Sequence, residues 1–247
     1  MKIKSLFFAA ALFFMPCAFA QEMDAAAILK QVDAIRAPSE NFVFTAKVHS
    51  QTANVDYEGE LQVSVRDTTK SLSLFRKPVK ENGRALLMDG PNMWIYIPGT
   101  SRPLRISPQQ QLTGAVSNAD VARTVFRLDY EAGHVEKQPL DGLPALKLDL
   151  RARESNVLYP KIELWIAEND LHPLKADFFS LSGKLIRTVQ YGGYQDILGR
   201  QRPTELRITD AINPAVKATL VYSDFKIKET PLEYYQPSYL GRLGNGN

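Results

Sequence analysis

The sequence predicts a mainly β chain with few helices, its strands paired antiparallel. Apolar and polar residues alternate with a period of two in both halves of the chain. Only two stretches show helical spacing. The pairs Asn169-Asp170 and Ser182-Gly183 fall between alternating runs and read as hairpin turns.

The first helix is expected over residues 24–36, DAAAILKQVDAIR. Asp24 is its N-cap, Ile28, Leu29, Val32 and Ile35 form one stripe, and Pro38 stops it. Strands follow. Phe42, Phe44, Ala46 and Val48 alternate with Val43, Thr45, Lys47 and His49, while Leu61, Val63 and Val65, and then Leu72 and Leu74, alternate with polar neighbours. In the second half Leu146, Leu148 and Leu150, and then Ile162, Leu164 and Ile166, repeat the pattern. Further strands are expected near 174–180, 184–194, 203–210 and 215–226, for about ten in all. The second helix is expected over 118–128, capped by Ser117 or Asn118, with Val121, Ala122, Val125 and Phe126 on one face. After Thr230 the chain reads as irregular.

With a further short turn of helix expected at Pro108 to Leu112, about ten one-sided strands still exceed what two or three short helices can cover. Either two sheets face each other, or one long sheet curls round the helices and leaves an apolar cavity. Both remain open at this stage.

The chain of 247 residues opens MKIKSLFFAAALFFMPCAFAQ, with Lys2 and Lys4, an apolar centre and Ala18-Phe19-Ala20. These are the parts of a secretory signal peptide cleaved after Ala20, leaving residues 21–247 as one domain. The single cysteine, Cys17, lies inside it, preceded by Met15 and Pro16 rather than the small residues that acylation requires. The mature chain then has no thiol or disulfide chemistry. Removing the segment takes away two lysines and no acid, so the net charge of +3 falls to +1. Near-neutrality gives no electrostatic case for nucleic acid.

No catalytic constellation stands out. His49, His134 and His172 lie in unrelated segments without metal-ligand spacing, and no GxSxG, P-loop or GxGxxG occurs. Neither a metal nor a cofactor is expected, and a hydrolase built on scattered carboxylates is the weaker alternative. An outer-membrane barrel is disfavoured by Lys147, Asp149, Arg151, Lys161 and Glu163 on the polar strand faces.

The apolar features carry more. In MDGPNMWIYIP, residues 88–98, Met93, Ile95 and Ile97 point one way and Trp94 and Tyr96 the other, so both faces of one strand are large and apolar. One face can meet the core, and the other needs a helix, a ligand or a partner. Met88, Trp94 and Tyr96 suit an adaptable binding wall. Arg102 and Arg105 in SRPLRIS, and Arg66 at the end of an earlier strand, are candidate donors to a head group at a cavity mouth.

MDGPNMWIYIP resembles the "dG…lW.Y.P" segment of LolA-type proteins, and RPLRIS with the capped stretch at Asp120 resembles the broader outer-membrane lipoprotein-sorting family. The early helix followed by NFVFTAKV agrees with that order of elements. The resemblance implies a strongly curved antiparallel sheet forming an incomplete, half-open β-barrel closed by short α-helices. It also implies a periplasmic carrier whose apolar cavity receives the acyl chains of a lipoprotein or lipid. An inner-membrane transporter and an outer-membrane acceptor would be its partners, and it would act as a monomer. The cavity lining is then expected from Phe42, Phe44, Leu61, Val63, Met88, Trp94 and Tyr96, and a lid from Val121, Val125 and Phe126. LolA-like domains also resemble the sensor part of RseB-type regulators, which makes a periplasmic interaction module the alternative role.

Overall fold

The computed structural model describes residues 24–244 except 39, 108–110, 114, 122–124 and 155–158. The expected signal peptide therefore lies outside the described residues. Helix α1 (Ala25–Arg36) starts where Asp24 accepts the backbone N–H groups of Ala26 and Ala27, both at 3.0 Å. Leu29, Val32 and Ile35 are buried along it.

Six strands follow as a meander: β1 (Phe42–Gln51), β2 (Asp56–Arg66), β3 (Lys70–Lys77), β4 (Ala85–Asp89), β5 (Asn92–Tyr96) and β6 (Leu104–Ile106). A small separate pair, β7 (Gln111–Thr113) and β8 (Val116–Ser117), leads into a 3-10 turn at Asn118–Val121. The second meander comprises β9 (Tyr130–Lys137), β10 (Ala145–Ala152), β11 (Lys161–Ala167), β12 (Pro173–Phe179) and β13 (Leu185–Gly192). A second separate hairpin, β14 (Gln195–Ile197) and β15 (Arg200–Arg202), precedes β16 (Glu205–Asp210) and β17 (Lys217–Ile227). The chain ends in 3-10 turns at Leu232–Tyr235 and Pro237–Tyr239 and the short helix α2 (Leu240–Gly244).

Thirteen strands form one antiparallel sheet in the order β6-β5-β4-β3-β2-β1-β17-β16-β13-β12-β11-β10-β9. The expected hairpin turns at Asn169-Asp170 and Ser182-Gly183 join β11 to β12 and β12 to β13. The count exceeds the expected ten because strands such as β6 are too short to show alternation, and β9 (YEAGHVEK) has almost no apolar stripe. The sheet is strongly curved and does not close. The turn between β4 and β5 lines the same cavity as Tyr130 of β9, although those strands stand ten steps apart in the order. Laid flat at ~4.8 Å per strand, they would be separated by about 48 Å. One curled sheet, not a two-sheet sandwich, is the solution.

Two apolar clusters result. The larger lies inside the curl and joins Leu29 and Val32 of α1 to Phe42 and Phe44, Met88, Met93, Val121, Phe126, and the inward residues of β10 to β13. The smaller lies on the outside of β3 to β5. There Leu72, Ala85, Leu87, Trp94 and Tyr96 pack under Tyr235, Leu240 and Leu243. The register pairs Leu87 with Trp94 and Ala85 with Tyr96, so these side chains share the outer face, while Met88 pairs with Met93 on the inner one. The two-sided strand in MDGPNMWIYIP is thus explained: its second face is covered by the chain's own C-terminal segment. That segment is seated closely, since a Cβ at Gly244 would lie 2.3 Å from the Gly83 carbonyl oxygen and 2.7 Å from the Tyr96 ring.

The expected helix over 118–128 is corrected. Asn118–Val121 makes a single 3-10 turn, and residues 126–129 form further turns, while 122–124 lie outside the described residues. The cause is where the backbone donors go. The N–H groups of Phe126 and Arg127, which a helix would use for its own carbonyls, are taken by the Asp33 carboxylate at 2.8 and 2.9 Å. What closes the curl is therefore α1 and this irregular cover.

Leu240 is fully buried against the outer face. Leu240→Ala is expected to lower stability by about 2–5 kcal/mol in urea unfolding. Trp94 packs in the same cluster, so the change should also shift tryptophan emission to longer wavelength. Unchanged emission and stability would mean that the segment is not seated as described.

Candidate functional site

The inside of the curl holds a cavity of about 570 Å³, within the range of about 300–1,000 Å³ usual for small-molecule sites. The sheet provides its wall. Phe42 and Phe44 come from β1, Phe178 from β12, Val189 and Tyr191 from β13, Leu206 and Ile208 from β16, and Tyr222 and Phe225 from β17. These residues reach one space because they occupy the same side of neighbouring strands. Phe42, Phe44 and Phe225 stack in one group, with ring centroids 5.2 to 6.3 Å apart and planes within 20°. The cover supplies Val121, Val125, Phe126 and Leu128. Exposed Pro91 on one side and Arg153 and Glu154 on the other mark where the cavity meets solvent.

Two ion pairs stand at this largely apolar space. Arg187 of β13 and Asp120 of the cover form a two-point ion pair. One Nη donates to Oδ2 at 2.7 Å and the other to Oδ1, and the side chains are only 7% and 12% exposed. Ser117 supports the same carboxylate through its N–H at 2.7 Å and its hydroxyl at 2.9 Å. The Arg187 guanidinium also lies over the Phe178 and Tyr159 rings, 4.8 and 5.4 Å from their centroids. Burial opposes its charge, but the Asp120 carboxylate more than offsets that, so Arg187 holds its proton above the usual arginine range.

The second pair stands on α1. Arg36 lies 3.8 Å above the Phe126 ring and 3.5 Å from Asp33. Burial raises the Asp33 pKa above the ordinary value of 3.8, while Arg36 and the two backbone N–H groups it accepts pull the other way. Burial also raises Tyr222 and Tyr191, and lifts Tyr159 to about 12, so all three remain neutral phenols at physiological pH.

The residues expected from sequence divide into four groups. Phe42, Phe44, Val121, Val125 and Phe126 line the cavity. Leu61, Val63 and Met88 are buried in the same cluster without lining it. Trp94 and Tyr96 are corrected as lining residues: the β4–β5 register turns them to the outer face, beneath the C-terminal segment. The arginines are also elsewhere. Arg66 donates to the Thr230 carbonyl at 2.9 Å and pairs with Glu229 at 3.1 Å, tying β2 to the approach of the C-terminal segment. Arg105 bonds to Asn92, next to the lining turn at Gly90-Pro91, and Arg102 is exposed.

Sequence reasoning missed Arg187, Asp33 and Arg36, although two of them left a signal. Arg187 shares period-two register with Val189 and Tyr191, so a charge stands on an apolar face. Asp33 sits on the buried stripe of α1 beside Val32.

A LolA superfamily protein of Nitrosomonas europaea is 32% identical and overlays with a TM-score of 0.81, covering 87% of this chain and 98% of that one. The chain belongs to the LolA superfamily. A family model whose description reads "Uncharacterized protein" matches residues 67–242. Two more distant structures share the fold, both at a TM-score of 0.75. One is from Vibrio parahaemolyticus and described as an outer membrane lipoprotein-sorting protein domain, 19% identical over 88% of this chain and 98% of that one. The other is a DUF1329 family protein of Desulfovibrio piger, 18% identical over 87% and 97%. No curated protein matches the chain. The half-open sheet closed by α1 and the cover is thus the LolA-like fold.

Because folded Asp33 takes up its proton at a higher pH than the unfolded chain, its contribution to stability is fully present below about 3.8 and is lost as pH rises through the raised value. The difference in melting temperature between wild type and Asp33→Asn should therefore shift in favour of wild type as pH falls through that window. In the same variant, amide hydrogen exchange at Phe126 and Arg127 should quicken at neutral pH. Exchange and pH profile identical to wild type would show that Asp33 does not hold the cover.

Proposed function

We propose that this chain is an exported periplasmic carrier that holds the acyl chains of a lipoprotein or lipid in its cavity and delivers them toward the outer membrane. The observation that carries this is the cavity: about 570 Å³ of space, walled largely by phenylalanine, tyrosine, leucine, isoleucine and valine side chains, that the chain's own core does not fill. Each methylene moved there from water contributes ~0.8 kcal/mol, so one acyl chain binds without any further recognition. An inner-membrane transporter as donor and an outer-membrane acceptor as receiver fit such a role. The family relationship and the signal-like start of the chain support export in the same direction.

The polar groups of the cavity suit binding better than catalysis. Asp120 is held by Arg187 and Asp33 by Arg36, and no His, Cys or Ser stands among the described lining residues. Loading and release then require the cover around Val121, Val125 and Phe126 to move as a lid, since these side chains close one side of the space.

Native mass spectrometry with lipid extraction of protein purified from periplasm should find co-purifying acyl lipid. A fluorescent fatty-acyl probe should bind with blue-shifted emission. Val189→Trp, which fills the cavity, should weaken that binding at least about tenfold with the circular dichroism unchanged. If neither lipid nor probe binds, and periplasmic crosslinking captures only a signalling protein, the carrier role is wrong.

A further inference from the structure

The Asp120–Arg187 pair has a placement that stability alone does not explain. Arg187 is fixed on the sheet, while Asp120 belongs to the cover, so the pair joins two parts of the wall across the cavity they both line. A buried ion pair is often no more stabilising than apolar side chains of the same volume, and an apolar pair would suit a purely hydrocarbon cavity better. The guanidinium presents a flat fork, lying over the adjoining Tyr159 and Phe178 rings, with one N–H from each Nη on the carboxylate. That fork fits any planar or tetrahedral oxyanion, and carboxylate and phosphate groups are its usual partners. Its Nε–H has no hydrogen-bond partner among the described residues, so Asp120 does not exhaust the donors of Arg187. Asp120 in turn keeps the Ser117 N–H and hydroxyl when it leaves, because both lie on its own segment.

We propose that Asp120 is a stand-in for the ligand: Arg187 is the receptor for the anionic head group of a single-chain or double-chain acyl lipid, and that head group displaces Asp120 as the acyl chain fills the aromatic wall. The exchange conserves charge at Arg187, so an anion enters an apolar space without leaving an unpaired guanidinium. It frees the Asn118–Val121 turn from the sheet at the same moment, which couples head-group recognition to movement of the cover. On the other side Asp33 keeps the Phe126 and Arg127 amides and Arg36 its place over the Phe126 ring, so these residues stay on α1 when Asp120 is displaced. This inference rests on the carrier role and narrows its cargo to lipids that carry a carboxylate or a phosphate.

The test compares matched ligands by displacement of a neutral acyl probe: palmitate against its methyl ester, and lysophosphatidic acid against the corresponding monoacylglycerol. Wild type should favour at least one anion over its neutral partner by about tenfold or more, the size expected of a charge-assisted hydrogen-bond pair. A preference in the first pair alone names a carboxylate, and one in the second alone a phosphate. Asp120→Asn should strengthen anion binding, because the competing carboxylate is gone and Arg187 remains. Arg187→Gln, or the double variant Arg187→Gln/Asp120→Asn if the single one does not fold, should abolish the preference while neutral ligands still bind. Equal binding of anions and neutral partners in both wild type and Asp120→Asn would overturn this inference and leave the carrier role standing. Failure of every ligand, neutral ones included, would overturn both.

Discussion

The pairing of β1 with β17 is the contact on which the rest of the molecule depends. It runs from Phe42 opposite Ile227 to Gln51 opposite Lys217, along the whole of β1, and the other edge of β1 is taken up by β2. Without it there are two meanders, each with an apolar face too wide for the available helices. With it there is one sheet of thirteen strands, and its twist bends the two ends toward each other. The cavity is centred on this seam, because Phe42 and Phe44 on β1 and Tyr222 and Phe225 on β17 form one aromatic group. Fold and candidate site therefore share a cause.

A curled sheet that stays open leaves two surfaces to be covered by what little chain remains. Inside, α1 and residues 116–121 and 125–129 do this, and the carboxylates of Asp33 and Asp120 bind them to α1 and to the sheet. Outside, the C-terminal residues from Tyr235 to Leu243 cover β3 to β5. Arg66 ties the approach to this segment, and Arg202 of the β14–β15 hairpin bonds to the carbonyls of Ala34 and Ile35 at the end of α1. Neither arginine lines the described cavity. Arg66 satisfies a backbone oxygen of the irregular approach, and Arg202 two carbonyls left open at the end of α1.

Local pattern made much of this legible. The alternation in FVFTAKV set the inward face of β1, and with it Phe42 and Phe44 in the cavity. The Asp24 cap and the stripe of α1 followed from spacing alone. Too many strands for too few helices left two solutions, a sandwich or a curled sheet round a cavity, and the chain adopts the second. What could not be read were consequences of distant contacts. Helical spacing at Val121, Ala122, Val125 and Phe126 is real, but a carboxylate some ninety residues earlier takes the Phe126 and Arg127 amides. Trp94 and Tyr96 looked unclaimed because their cover lies near the other end of the chain and itself has almost no periodic signal.

Charge within an apolar wall was the clue most easily discounted. A sequence scan treats Arg187 as one polar residue in an alternating strand, yet Ile186, Arg187 and Thr188 can be assigned to faces only by carrying the register back from Val189 and Tyr191. Once that is done, an arginine points inward and a compensating acid has to exist. The acid lies on the cover rather than on a neighbouring strand. An arginine paired within the sheet would be a fixed part of the wall, whereas one paired across to the cover makes closure depend on an interaction that an oxyanion can replace. The polar cost of burying this pair is the same in both arrangements. Only the second gives the cavity a means of registering what enters it.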